Sequence, residues 1–380
     1  MVVLRKVVIV GDGAAGIIAA NKLRFHTSEK ELDIVVIGNT PRHFYKPDGV
    51  LIPFGYKNYR KSVKPVNFLL NYSITYMKDE VIRINPDENI LFLKSGKSVI
   101  ADYIILATGD RYTPEEIPGY DGEAKHFFDL QNAMELREYM KTFQGGQVFI
   151  GSSSEIMQYP ESLYEFAFLL DSYLSQNNLR DKTSINLTVP QTDLSPEPNT
   201  SSTLEKMLKE RGIEYHGGVV IQSVNPKNKE VTDKKGQTYK YSLLVLTPPH
   251  HGQEFIKNSG IADENGYAIV EPNTLTVKGN KTLFAIGDAN NLTKSKSATT
   301  AHAQASFVAS AIVSEIVGGL REDKLTSKLP EFSLTGYNSG FSFFDLPGKV
   351  SRDVNPNKGD FMLRWTSADT YFSTILRGMV

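Results

Sequence analysis

The dominant pattern along the chain is an exchange between short unbroken apolar runs and helical segments. Lys6-Val-Val-Ile-Val10 is β-branched throughout after its lysine, as expected of a strand buried on both faces. A glycine-rich stretch follows, then Ile17-Ile-Ala-Ala-Asn-Lys-Leu23 with helical character, then a second run, Asp33-Ile-Val-Val-Ile37. Comparable runs recur at Tyr103–Leu106, Gln147–Ile150, Ile185–Val189, Leu243–Leu246 and Leu283–Ile286, and a helix is expected over about Ala298 to Val317. Strands of this kind alternating with helices predict an α/β fold with parallel sheets. At 380 residues the chain exceeds one compact core, and at roughly 150 residues per domain two or three units are expected. No apolar stretch approaches the roughly 18 to 20 residues that a membrane helix needs. The N-terminal residues show neither the long apolar region nor the cleavage site of a secretion signal, so a cytoplasmic protein is expected.

The turn between the first strand and the first helix reads Gly11-Asp12-Gly13-Ala14-Ala15-Gly16. A strand, GxGxxG and a helix within one βαβ unit present backbone N–H groups at a helix N-terminus to a pyrophosphate. Gly11 permits the tight turn, Gly13 lets backbone approach the phosphates, and Gly16 lets helix and strand pack closely; Ala14 and Ala15 open the helix. The ribose-binding acid expected near the end of the second strand is missing. Gly38-Asn39-Thr40 stands there, which makes Asn39 the candidate for an uncharged hydrogen bond to a ribose hydroxyl. Two later strand ends sharpen the cofactor. One is Ala107-Thr108-Gly109; the other is Gly287-Asp288-Ala289, whose aspartate can accept from a ribityl hydroxyl. The helix after it can aim its N-terminus at a flavin pyrimidine. Together, in this order and spacing, the three segments predict FAD.

Composition narrows the chemistry. Forty-two Lys and Arg against 43 Asp and Glu leave a net charge of −1, so the basic surplus of a nucleic-acid protein is missing and no nucleic-acid partner is expected. Cysteine is absent, which excludes disulfides, thiolate nucleophiles and cysteine-ligated zinc or iron–sulfur clusters. No set of histidines and carboxylates has metal-ligand spacing, and no metal is expected. Redox chemistry then falls to a bound cofactor.

Several segments taken together resemble the two-dinucleotide-domain flavoproteins of the pyridine nucleotide–disulfide oxidoreductase superfamily. Within it the likeness is to sulfide:quinone oxidoreductases and flavocytochrome c sulfide dehydrogenases. It covers nearly the whole chain and is carried by His43-Phe-Tyr-Lys-Pro47, Ala107-Thr-Gly109, Tyr164-Glu-Phe166, Thr247-Pro-Pro-His-His-Gly252, Gly287-Asp-Ala289 and Lys296-Ser-Ala-Thr-Thr-Ala-His-Ala-Gln-Ala305. The resemblance implies a three-layer α/β fold with two Rossmann-like dinucleotide-binding domains. Residues 1–115 with 271–329 are assigned to FAD, 116–270 to a second dinucleotide-fold domain with a hinge around 144–146, and 331–380 to a C-terminal membrane and quinone contact. It implies further that Lys296 approaches the flavin's pyrimidine edge and that Glu165 acts as the acid/base group near the flavin and quinone sites. The partners implied are a quinone and a small-molecule electron donor, with the chain peripheral on the cytoplasmic membrane; a homo-oligomer is expected.

Two departures limit what carries over. Type II NADH dehydrogenases hold a second intact GxGxxG, whereas this chain reads Gly151-Ser152-Ser153-Ser154-Glu155-Ile156, and a serine adds a Cβ where a pyrophosphate needs bare backbone. NADH binding is therefore disfavoured. The redox cysteine pair of the sulfide oxidisers is replaced by Tyr159 and by Gly336 in Thr335-Gly-Tyr337. Trisulfide chemistry cannot run without a sulfur nucleophile. Three readings stay open: direct reduction of the flavin by a small donor, an NADH:quinone reductase of type II character, and a catalytically idle FAD-bound subunit.

The remaining candidates are His250 and His251 beside a turn, His302 on the helix from Ala298, and the aromatic C-terminal region. Read as a helix, Trp365, Phe372, Ile375 or Leu376 and Met379 share a face, suited either to a lipid interface, as the resemblance implies, or to docking on a core or a dimer partner.

Overall fold

The structure is a computed structural model that describes residues 4–157, 159–292, 296–319, 325, 329–346, 349–351 and 354–379. The outer limits assigned to the first and last units, Met1 and Val380, lie outside the described residues. The chain runs through β1 (Arg5–Val10), α1 (Ala14–His26), β2 (Leu32–Gly38), β3 (Ile74–Lys78) and β4 (Tyr103–Leu106). It continues through β5 (Ala124–Lys125), α2 (Leu130–Thr142), β6 (Gly146–Ser152), α3 (Glu161–Gln176), β7 (Thr183–Val189), α4 (Pro198–Glu210), β8 (Ile213–Gly217) and β9 (Leu243–Thr247). It then returns with β10 (Leu283–Ala285) and α5 (Ala298–Val317).

Two five-stranded parallel sheets result, ordered β10-β4-β1-β2-β3 and β5-β9-β6-β7-β8. β1 and β2 pair from Arg5↔Leu32 to Val10↔Ile37. Val7, Val8 and Ile9 are wholly buried, in a core to which α1, α5 and apolar residues between Val81 and Ala101 all contribute. Each sheet is accompanied by a three-stranded antiparallel meander, Val81–Asn85, Ile90–Leu93 and Ser98–Ile100 in the first unit and Ile221–Asn225, Glu230–Asp233 and Thr238–Lys240 in the second. Strand order reverses between β1 and β4, and the crevice beyond the carboxyl ends of those strands is where such a sheet takes a ligand.

The expected hinge at 144–146 is a turn inside the second unit. α2, capped by Asp129 accepting from Asn132 N at 2.8 Å, already packs Ala133, Leu136 and Met140 into the core that holds Val148 and Ile150. Gly145 and Gly146 lead directly into β6 with φ of +108° and +128°, and a Cβ at Gly145 would meet Lys182 O at 2.8 Å. Glycine is needed there for local geometry.

The C-terminal region opens with an antiparallel sheet, β11 (Glu331–Gly336), β12 (Ser339–Leu346) and β13 (Lys349–Ser351), and ends with α6 (Lys358–Thr370) and a π-helical turn, Tyr371–Ile375. The face expected to meet lipid is instead largely docked. Tyr371, Phe372 and Leu376 join the core built on β1 and α1, where Asn21 Nδ2 donates to Leu69 O at 2.7 Å and to Leu376 O at 2.5 Å. Trp365 is half-buried against Phe361, and of that face only Met379 is exposed. The apolar side chains that α6 presents to solvent are Met362 and Leu363, 45% and 58% exposed. Among the described residues, no helix is long and apolar enough to cross a membrane.

Candidate active site

A cavity of about 950 Å³ opens at the carboxyl ends of β1 and β4 and extends toward the second unit. Gly11, Gly13, Ala14, Ala15, Asn39, Thr108, Gly109, Gly287, Asp288, Lys296 and Glu165 all line it, so the structure brings these sequence candidates together; Gly16 stands behind the wall. A Cβ on Gly11 would lie 2.3 Å from Ala107 O, and one on Gly16 would lie 2.0 Å from Gly11 O. These two glycines are dictated by the protein's own backbone. Gly13 differs: its nearest neighbour would be Ala107 O at 4.0 Å, so the protein leaves room there. The N-terminus of α1 has no side-chain cap and no acidic residue in its first turn. Its N–H groups are left for an anion.

The place of the missing ribose acid is taken from an unexpected direction. Asp12, between the first two glycines of the loop, swings its carboxylate to the end of β2, accepting from Thr40 N at 3.1 Å and Tyr76 OH at 2.8 Å. A Cβ on Gly38 would collide with it at 2.3 Å. Asn39 is exposed at the outer end of the cavity.

Gly287-Asp288-Ala289 forms a 3₁₀ turn held by α5, whose Gln304 Oε1 accepts from Gly287 N at 2.7 Å and Asn290 Nδ2 at 2.9 Å. Burial and the neighbouring Asp110 carboxylate hold Asp288 above the usual carboxylate range, against the ammonium groups of Lys46 and Lys296. Lys296 donates to Asp288 O at 3.1 Å and Asn290 O at 3.0 Å and lies 3.6 Å from the centroid of the Tyr267 ring. Its ammonium is depressed by burial, with Asp288 and Asp110 opposing that.

At the far end, α3 and β11 close the cavity. Glu165 on α3 is 2% exposed and accepts from Leu334 N at 2.9 Å through Oε1. Burial pushes its carboxyl up to about 7, opposed by the Arg364 guanidinium and the Leu334 N–H and assisted by Glu161. Arg364 reaches in from α6, donating to Pro47 O and standing 3.5 Å from Asp48 Oδ1. Tyr159, where the resemblance puts one thiol, lines the cavity and donates to Phe332 O at 3.4 Å. Gly336, assigned to the other thiol, does not reach it. Gly336 lies four residues further along β11, where a Cβ would meet Ser172 Oγ at 2.8 Å and Arg211 Nη1 at 3.1 Å. The β11 residues that face the cavity are Glu331 and Phe332.

The histidine candidates stay outside the lining. His250 is buried edge-on to Tyr112, His251 pairs with Glu116 at 3.0 Å, and His302 is buried on α5. His43 does line the cavity, its Nε2 2.8 Å from Tyr371 OH, with burial lowering its pKa to about 4. Glu331, Arg364, Asp12 and Gln304 were missed from sequence. Gln304 falls inside the quoted segment from Lys296 to Ala305, but no spacing signal marks the other three.

The profile of the pyridine nucleotide-disulphide oxidoreductases matches residues 5–154 and 177–305, which include the glycine loop and the Gly287-Asp-Ala289 turn. The chain belongs to this family. It is 27% identical to the mitochondrial sulfide:quinone oxidoreductase of Dictyostelium discoideum, over 98% of this chain and 86% of that one. A type II NADH:quinone oxidoreductase of Staphylococcus aureus is 23% identical over 75% and 74% of the two chains. Among solved structures, the sulfide:quinone oxidoreductase of Aquifex aeolicus superposes with a TM-score of 0.87 at 20% identity, covering 98% of this chain and 92% of that one. The protein is thus a cysteine-free member of a family of FAD-dependent oxidoreductases. Its residues fit the cofactor: the first turn of α1 is uncapped, the space at Gly13 is open, and the buried Thr108 hydroxyl on the cavity has no hydrogen-bond partner among the described residues.

Proposed function

We propose that the protein is a quinone-reducing flavoenzyme in which a small donor reduces FAD directly, without a cysteine relay. The observation that carries this reading is the far end of the cavity: a buried carboxyl with a pKa near neutrality, Glu165, stands beside Tyr159 where the sulfur chemistry of the resemblance needs a thiol. Gly11, Gly13, Ala14 and Ala15 would hold the pyrophosphate with the N-terminus of α1, Gly16 letting helix and strand pack closely behind them, and Asn39 would contact the ribose. Thr108, Gly109, Gly287 and Asp288 would hold the ribityl and flavin, and Lys296 is the residue that would meet the pyrimidine edge. FAD, when bound, supplies the two-electron chemistry.

The protein's own residues manage protons and water. Glu165 keeps one oxygen on Leu334 N and has the other to carry a proton at neutral pH, matched in pKa to general acid/base work. Arg364 prevents that carboxyl from being locked in its protonated form. Residues 331–332 and the C-terminal helix close the cavity on this side, so that proton transfer takes place out of bulk water.

NADH is not the donor in this reading. Ser152 donates to Ser154 O at 2.9 Å and Ser153 to Thr247 O at 2.7 Å, so the second glycine-loop position is closed on itself. α3 begins only at Glu161, with that acid in its first turn, and turns its start toward the flavin cavity. A pyrophosphate meets neither bare backbone nor an open helix end there.

The test is anaerobic mixing of FAD-loaded protein with NADH and, separately, sulfide, followed by a soluble quinone, while the oxidised flavin band is recorded. NADH leaves the band unchanged, and chemically reduced protein regains it on adding quinone. Bleaching by NADH, or a reduced flavin inert to quinone, overturns the reading.

A further inference from the structure

α5 starts with an anion that comes from outside the FAD unit. Its N-cap, Ser297, accepts from Thr300 N at 3.2 Å and donates its own hydroxyl to Glu331 Oε1; the Thr299 hydroxyl donates to the same oxygen. Glu331 is 8% exposed and belongs to β11, and it lines the cavity with Ser297, Ala298 and Thr299. α1 and α5 therefore present opposite electrostatics to one cavity. The start of α1 is left open, whereas that of α5 carries a carboxylate.

We propose that Glu331 lowers the reduction potential of the bound flavin by setting a fixed negative charge on the helix end that faces it. A helix N-terminus carries the equivalent of about half a positive charge, which favours the extra negative charge a flavin gains on reduction. A carboxylate on the same first turn offsets that field, and in an enclosed cavity little solvent screens the effect. Two hydroxyl donors on a single oxygen favour the ionised carboxyl. The Lys296 ammonium, which lines the same cavity, is directed to the carbonyl oxygens of Asp288 and Asn290 and to the Tyr267 ring. The consequence is specificity: the flavin accepts electrons from strongly reducing two-electron donors, discriminates against weak ones, and passes electrons downhill to an acceptor such as a quinone.

This rests on the reading that FAD lies with its pyrimidine end toward α5. It is tested by anaerobic spectroelectrochemical titration of the full-length, FAD-loaded protein against Glu331→Gln and Glu331→Asp. The glutamine variant shifts the midpoint potential to more positive values, and the aspartate variant stays near the wild type. Because Glu331 also ties β11 to α5, Glu331→Ser serves as a second neutral replacement should the glutamine variant lose its flavin, and its shift has the same sign. Sulfite, which adds more tightly to flavins of higher potential, is an independent probe: its affinity rises in the neutral variants. Equal potentials and equal sulfite affinities in wild type and neutral variants overturn the proposal. Failure of the functional reading is distinguishable, since it shows in the wild type as missing flavin or as no reoxidation by quinone.

Discussion

At the scale of single residues, the glycine loop separates what the fold needs from what the cofactor needs. Gly11 and Gly16 have no space for a methyl group, whereas Gly13 does. Gly13→Ala is therefore expected to unfold like the wild type in the absence of FAD but to bind FAD on the order of tenfold more weakly or worse, about 1.4 kcal/mol, as read by flavin titration. Two buried titrating groups give opposite pH slopes. His43, with its pKa lowered from 6.5 to about 4, contributes stability that is present above pH 6.5 and lost as pH falls toward 4, about 3 kcal/mol. Glu165, raised from 4.5 to about 7, contributes stability that is full below pH 4.5 and is lost as pH rises toward 7, again about 3 kcal/mol. Denaturant unfolding across pH 4 to 8 should show Glu165→Gln gaining on the wild type as pH rises, while its turnover falls about 10²-fold or more and loses its break near pH 7. The places of Gly11, Gly13 and Glu165 on the cavity were legible in the sequence, the glycines from their motif and Glu165 from the resemblance. Asp12 was not, since which way a loop side chain swings depends on the partners, here Thr40 and Tyr76, that the fold brings to it.

At the scale of elements, the apolar runs at β1, β2, β4, β6, β7, β9 and β10 were readable because strands covered on both faces leave no polar alternation to confuse them. β3 was not picked out, since its half-buried edge position tolerates Thr75 and Lys78. The C-terminal helix was legible in type, but its aromatic stripe fits a lipid surface and a protein core equally well, and tertiary contacts decide between them. Docking makes it a structural member. Leu376→Ala is expected to cost about 2–5 kcal/mol in equilibrium unfolding. Arg364→Met, which leaves the fully buried Asp48 without its guanidinium, is expected to cost about 3–5 kcal/mol. Met362→Ser and Leu363→Ser, on the outward face, should leave stability within about 0.5 kcal/mol.

At the scale of the whole molecule, the two parallel sheets share the order of four strands, β4-β1-β2-β3 and β9-β6-β7-β8, and differ at the turn that follows β1 and β6. The first keeps an open helix N-terminus at its switch point; the second fills the equivalent position with serine hydroxyls bound to its own backbone. That asymmetry could be read from Ser152 and Ser153 alone. How the C-terminal hairpin spans the two units could not, because it depends on contacts between residues far apart in sequence. β11 hands a backbone N–H to Glu165 on one side and sends the Glu331 carboxylate to α5 on the other. A chain ending after Gly319 is accordingly expected to bind no FAD and to expose apolar surface, detectable by dye binding and by the loss of a cooperative thermal transition.

The bond from Asn21 to Leu376 joins positions 355 residues apart. A core closed by contacts of such separation pays its loop-closure entropy before it gains the burial that rewards it, and folds slowly. The first βαβ unit is accordingly expected to keep part of its core uncovered until residues 371–376 are available to dock on it. Cofactor loading is then expected to follow that docking.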